Sequence, residues 1–339
     1  MDQLLAGLRA AGEPTRLRLI VLLARGELTV TELTQVLRQS QPRVSRHLKL
    51  LCEAGLLDRF PEGSWVFYRL AQQGIGARLG RLLIDLIPAG GPVMARDMER
   101  LEAVRQVRAA AAAAYFRTNA ADWDRIRALY LPEAEVEAAL LALMGRARAN
   151  SFVDMGTGTG RMLEIFAPRI ARGVGVDLSP EMLRLARANL ERAGLDHCQV
   201  RQGDLYDLPV QEGEADIVTL HQVLHYLDDP AAAIMEAARV LKPGGRLLIA
   251  DFAPHELDFL RDEQAHRRLG FSEDEMAQWC RQAGLKVAQT RRLPSSGSEE
   301  EQLTVLICAA DQLNERGADG HRTGGGRSTG GTRKLERIG

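Results

Sequence analysis

The chain has 339 residues, 44 Lys and Arg against 45 Asp and Glu, and 45 % apolar and 26 % charged residues. Its length exceeds the usual single domain, and its composition excludes a collagenous, disulfide-dense or wholly disordered protein. No stretch approaches the roughly 20 apolar residues of a membrane span and the N-terminus lacks a signal-peptide pattern, so a soluble, cytoplasmic protein is expected.

In chain order, the first elements are short helices. Glu13-Pro14-Thr15 opens a helix with proline in its first turn, Leu17, Ile20, Val21 and Leu23 form its apolar stripe, and Gly26 ends it. Thr29 and Glu32 have capping-box spacing ahead of Leu33, Val36 and Leu37. The next helix has Ser40 as N-cap, Pro42 in its first turn, Val44, Leu48 and Leu51 on a core face, and Gly55 as its stop. Leu56 to Phe60, a Pro61-Glu-Gly-Ser64 turn and Trp65 to Leu70 predict a hairpin, or wing.

The polar face of the third helix carries Gln41, Arg43, Ser45, Arg46 and Lys49, side chains suited to base edges and phosphates in a DNA major groove. Arg59 and Arg69 on the wing strands are expected to reach the flanking backbone. Charge agrees: residues 1 to 70 hold ten Lys and Arg against seven Asp and Glu, whereas residues 71 to 311 are net acidic.

From Val93 to about Leu143 the pattern is helical and alanine-rich, which predicts a linking and dimerising helix of about 25 residues with Leu101, Val104 and Val107 at helical spacing. Pro132 breaks it before a second helix from Glu133. Seven apolar runs then alternate with helices: 151–155, 173–177, 199–202, 215–220, 246–250, 286–289 and 303–308. Such alternation predicts a mostly parallel, doubly wound sheet. From Gln312, eight glycines in 28 residues describe a disordered, weakly basic tail. The expected division is a winged helix at 1–90, a helical linker and lid at 91–145, an α/β domain at 146–311 and the tail at 312–339.

The first apolar run ends in Asp154-Met-Gly-Thr-Gly-Thr-Gly160, where Gly156, Gly158 and Gly160 let the backbone approach a ligand closely. A dinucleotide fingerprint would need a third glycine at position 161, which is Arg161, so the spacing favours S-adenosylmethionine over a nicotinamide dinucleotide. Asp177 ends the second run, where an acid can accept from ribose hydroxyls, with Leu178 beside it. Asp204 is placed for an adenine amino group, Leu205 for packing the ring, and Asp154 for the ligand's ammonium. Cys52, Cys198, Cys280 and Cys308 are scattered and read as isolated thiols.

Two resemblances sharpen this reading. Residues 4 to 87, and Ser40 to Leu56 above all, resemble the ArsR family of bacterial winged-helix regulators. Thr29 and Thr31 stand where metal-sensing members carry a cysteine pair, and the helix from Ile75 to Ile87 has only Asp85 as a carboxylate, so no metal site is expected. Residues 115 to 310 resemble class I S-adenosylmethionine-dependent methyltransferases on Asp154-x-Gly-x-Gly-x-Gly160, Gly175-Val-Asp-Leu-Ser-Pro180, Gly203-Asp204, Asp216-Ile-Val218 and Leu241-Lys-Pro-Gly-Gly245. The resemblance implies a Rossmann-like sheet and an aromatic lid before the first strand, for which Tyr115-Phe116 and Trp123 fit, although the same rings fit a helical core.

Methyl transfer leaves little catalytic signature, because the cofactor brings its own leaving group. His221, His225, Asp251 and His255 fall after the fourth and fifth strands, where an acceptor cleft should open; they read as weak general-base candidates or as pocket walls. Two functions follow. One is a homodimeric regulator of a DNA operator whose methyltransferase-like half binds S-adenosylmethionine or S-adenosylhomocysteine, as in regulators of methyl-cycle genes that such fusions resemble. The alternative is an active small-molecule methyltransferase with an autoregulatory DNA-binding domain.

Overall fold

The computed structural model describes residues 1–62, 65–71, 73–87, 91–120, 133–145, 148–294 and 303–313. Trp123, Pro132 and the glycine-rich segment from 314 onward lie outside the described residues. The N-terminal unit contains α1 (Asp2–Ala11), α2 (Pro14–Leu23), β1 (Leu28–Thr29), α3 (Val30–Leu37), α4 (Gln41–Glu53), β2 (Leu57–Glu62), β3 (Trp65–Leu70) and α5 (Gly74–Leu86). At the start of α3 the Thr29 hydroxyl accepts from the Glu32 N–H while the Glu32 carboxylate accepts from the Thr29 N–H, a reciprocal cap that contributes about 1 kcal/mol. Ser40 sits at the cap of α4, but its hydroxyl makes no cap bond. Pro42 has removed one N–H there, and the Ser40 carbonyl takes those of Arg43 and Val44.

The apolar stripes meet as expected. Leu19, Leu23, Leu33, Val36, Val44, Leu48 and Leu51 form one buried cluster. β2 and β3 pair antiparallel and β1 joins them, in the order β1-β3-β2. This is a winged helix.

α6 (Pro92–Asn119) is a 28-residue helix, hence roughly 42 Å long at 1.5 Å per residue. The sequence predicts a dimerising stripe of Leu101, Val104 and Val107 on it, yet Leu101 and Val104 pack into the core of the chain's own N-terminal unit and only Val107 stays exposed. The fully buried Asp97 explains the docking: it receives Arg18 in a two-point contact at 2.5 and 2.7 Å.

The C-terminal unit comprises α7 (Glu133–Met144), β4 (Ala149–Met155), α8 (Arg161–Phe166), β5 (Ile170–Asp177), α9 (Pro180–Arg192), β6 (Cys198–Gln202), β7 (Ala215–His221), α10 (Pro230–Val240), β8 (Leu241–Phe252), α11 (Phe259–Gln264), α12 (Glu273–Gln282), β9 (Leu285–Leu293) and β10 (Val305–Gln312). Its seven strands run in the order β6-β5-β4-β7-β8-β10-β9. The first five are parallel, and β10 is antiparallel to both neighbours. Both faces are covered, which is why the strands read as continuous apolar runs: Val153, Val218 and Leu247 pack with Ile234 and Trp279, whereas Phe152, Ile217 and Leu248 pack with Leu140 and Phe166. The strand order reverses between β4 and β7, so a crevice opens beyond their carboxyl ends.

Candidate cofactor site and nucleic-acid face

Three glycines form the turn from β4 into α8, with φ of 76° at Gly156, 52° at Gly158 and 88° at Gly160. A side chain at Gly156 would bring a Cβ within 2.5 Å of Val223 Cγ2, so the loop needs both the left-handed backbone and the missing methyl. The Gly156 and Thr157 N–H groups are taken by the Val176 carbonyl, which seats the loop over β5.

Asp177 stands at the end of β5 with one carboxylate oxygen accepting from the Gly158 N–H at 2.8 Å and the other from the Ser179 N–H at 2.9 Å. Burial raises its pKa, against the pull of those N–H groups. A carboxylate offers about four acceptor positions, and these backbone bonds do not fill them, so Asp177 can still accept from a hydroxyl. Asp154, in β4, is buried and accepts from the Thr219 hydroxyl at 2.6 Å. Asp204 is exposed and accepts from the Tyr206 N–H, while Leu205 is buried beside it.

Asp154, Gly156, Gly158, Asp177, Leu178, Asp204, Leu205, Tyr115 and His221 all line one cavity of about 880 Å³. That volume lies within the usual range of small-molecule sites. Gly160 is set back from it, facing Ala186 of α9.

The other proposed catalytic candidates lie behind the wall. β8 runs to Phe252, so Asp251 is a strand residue rather than a loop residue. It is fully buried, and so is His225 at 2 %, with Nδ1 2.7 Å from Asp251 Oδ1. Asp251 also accepts from the Leu224 and Phe252 N–H groups. Its acceptor positions hold the backbone of two segments together, which makes the pair a brace. His255 is outside the cavity lining, and burial together with His225 and Arg261 pushes its pKa down to about 4, so it stays neutral.

Spacing in the sequence missed several wall residues. Gln222, immediately after β7, is buried with a left-handed φ of 51°. Tyr226, Arg261, His266 and Arg267 line the cavity from the C-terminal unit, and Glu32, Trp65 and Phe67 from the winged helix. Trp65 keeps 43 % of its surface exposed, an unusual state for a strand aromatic and the one local hint.

The two units meet through a charged seam. Glu27 receives Arg268 at 2.6 Å and Arg69 at 3.3 Å, and its carbonyl accepts from Arg267 at 3.0 Å. Arg69 and Arg268 also pair with Glu275 of α12. Arg108 of α6 joins Glu32 to Asp228, which receives Arg267 at 2.6 Å. Sequence reasoning assigned Arg69 to DNA. The structure turns it into this seam, with 18 % of its side chain exposed and its guanidinium committed to Glu27 and Glu275. On α4, Gln41, Arg43, Arg46 and Lys49 are exposed, Ser45 is half-buried, and Arg59 is exposed on β2.

Residues 13–59 match the bacterial regulatory protein, arsR family, and residues 153–249 match the methyltransferase domain. The chain joins an arsR-family helix-turn-helix to a class I methyltransferase domain. An uncharacterised Bacillus subtilis methyltransferase, YcgJ, is 32 % identical over 131 residues, 36 % of this chain and 52 % of that protein. The demethylmenaquinone methyltransferase of Tropheryma whipplei is 31 % identical over 142 residues, 42 % of this chain and 56 % of that one. The chain thus spans about half the length of these curated relatives. Among solved structures, a methyltransferase in complex with the Haloferax volcanii Trm112 methyltransferase activator has a TM-score of 0.51 and 25 % identity, covering 59 % of this chain and 97 % of that one. Among the described residues no helix is long and apolar enough to cross a membrane.

Proposed function

We propose that the chain is a DNA-binding regulator whose methyltransferase domain holds S-adenosylmethionine or S-adenosylhomocysteine and whose operator affinity follows that occupancy. One observation carries the reading. The cavity that contains the glycine loop and Asp177 is also lined by Glu32, Trp65 and Phe67 of the helix-turn-helix unit. A cavity walled by both units changes shape when they move against each other, so its occupancy can favour one arrangement, which is the differential interaction that coupling between sites requires.

The residues suit the ligand. Asp177 and Asp204 offer acceptors to ribose and adenine, and Asp154 offers negative charge to an ammonium. When bound, S-adenosylmethionine supplies an activated methyl group. Gln41, Arg43, Ser45, Arg46 and Lys49 of α4 would read the major groove and Arg59 a flanking phosphate. A DNA partner places the protein in the cytoplasm.

The second copy expected of such a regulator has a surface available. Leu4, Leu5 and Leu8 of α1 and Leu82 and Leu86 of α5 are all exposed, and these two helices pack side by side. An apolar patch on neighbouring helices fits a self-complementary contact, which would set two recognition helices about one DNA turn (roughly 34 Å) apart.

The alternative, turnover of a small-molecule acceptor, draws on the space beyond the glycine loop and on His221 in the wall. Operator titrations at fixed salt, with no ligand and with each of the two, separate the readings. At least a fivefold difference among them is expected, and equal affinity in all three together with methyl transfer to an acceptor overturns the regulatory reading.

A further inference from the structure

The wing end of the cavity is more than a cofactor needs. Among the described residues, six aromatic side chains line this one cavity, in a protein that is only 5 % aromatic. Tyr206 borders the Asp204 corner. Tyr115, Phe116 and Tyr226 form a packed floor, with Phe116 meeting Tyr226 edge-on at 4.8 Å and His266 meeting Tyr226 at 5.3 Å.

Trp65 differs from these rings. It stacks on Phe67 at 6.2 Å, has the Arg261 guanidinium 5.4 Å from its ring centre, and keeps 43 % of its surface exposed. It also borders a second cavity of about 850 Å³, lined from α3, β3 and α6 and shared with Glu32 and Arg108. An indole bordering two cavities leaves 43 % of its surface uncovered, ring area that a flat guest can cover.

The charges at this end are already engaged: Arg108 bridges Glu32 and Asp228, Arg267 pairs with Asp228, and Arg261 is held by the Arg267 carbonyl and Asp258 and lies against the Trp65 and Phe67 rings. His266 is neutral, its pKa held well below the ordinary range by burial and by His225, His255 and Arg261. What the wing end offers a guest is therefore ring surface rather than net charge.

We infer that the wing side of the cavity binds a second small molecule, uncharged, flat and ring-bearing, stacked against Trp65 and lying beside the cofactor position. This rests on reading the glycine-loop end as the cofactor site. The wing is then a wall of the small-molecule site and Trp65 its specificity-determining residue.

The test is calorimetric titration of the full chain with 2-naphthol, with and without saturating S-adenosylhomocysteine. Wild type is expected to bind 2-naphthol at least tenfold more tightly than Trp65→Ala, with Trp65→Phe within threefold of wild type. The saturated analogue decahydro-2-naphthol, of similar size but puckered, is expected to bind at least tenfold more weakly than 2-naphthol. Equal 2-naphthol affinity in wild type and Trp65→Ala, or no binding to wild type, overturns the inference. S-adenosylhomocysteine titrated into the same samples keeps the two readings apart: absent cofactor binding with Trp65-dependent 2-naphthol binding defeats the cofactor reading alone, and the reverse result defeats this one alone.

Discussion

At the glycine-loop end of the cavity, Asp154, Gly156, Gly158 and Asp177 fall within 24 residues of one another, on two neighbouring strands and the turn between them. At the wing end, Glu32, Trp65, Arg108, Arg261 and His266 come from four separate segments spread over more than 230 residues. The first end is built by backbone: positive φ at three glycines, and a carboxylate anchored by two N–H groups. The second is built by side chains that meet only after two units dock. The first can therefore form whenever the sheet forms, whereas the second depends on the seam.

That contrast can be broken at either end. The largest effect is expected from Asp177→Ala, which removes a doubly anchored acceptor. Hydrogen bonds to a charged group contribute about 1.5 to 3 kcal/mol each, so S-adenosylhomocysteine affinity should fall about 100-fold by calorimetry. Circular dichroism and operator binding without ligand should be unchanged. Retained affinity would move the cofactor elsewhere.

Next is Glu27→Ala, which strips the seam of the carboxylate shared by Arg69 and the buried Arg268 while leaving the glycine loop untouched. Breaking a buried ion pair costs about 3 to 5 kcal/mol, and the remaining Glu275 partner should reduce that to about 2 kcal/mol in urea unfolding. Cofactor affinity should stay within threefold. A loss of cofactor binding as large as that of Asp177→Ala would erase the distinction between the two ends.

The smallest effects sharpen the boundary between seam and DNA face. Arg59→Ala should lower the salt dependence of DNA binding by about one unit of slope, the signature of one phosphate contact. Arg69→Ala should leave that slope alone and lower stability instead, because its guanidinium is held by Glu27 and Glu275. A slope change for Arg69 would return it to the DNA surface.

Legibility followed the same division. The capping pair Thr29 and Glu32, the α4 core stripe and all seven strands of the large sheet were readable, because periodicity and caps act within a few residues. The glycine loop and Asp177 were readable for the same reason. The fate of Arg69 was not: a cationic strand residue looks the same in sequence whether phosphate or a carboxylate from 206 positions away meets it. His225 and Asp251 misled similarly, since polar residues after strands suit a cleft as well as a brace, and only their burial separates the two. The stripe on α6 announced a partner surface without saying whose.

Three consecutive residues after α11 have a further consequence. His266 borders the cavity, Arg267 grips Asp228 and the Glu27 carbonyl, and Arg268 grips Glu27 and Glu275, while the N–H groups of both arginines hang from the His225 carbonyl. Any displacement of the imidazole is thus passed on through a single peptide link, with no intervening helix to bend. Such a short yoke tolerates no change of length: one residue inserted between Ala265 and Arg268 should uncouple the halves while each stays folded.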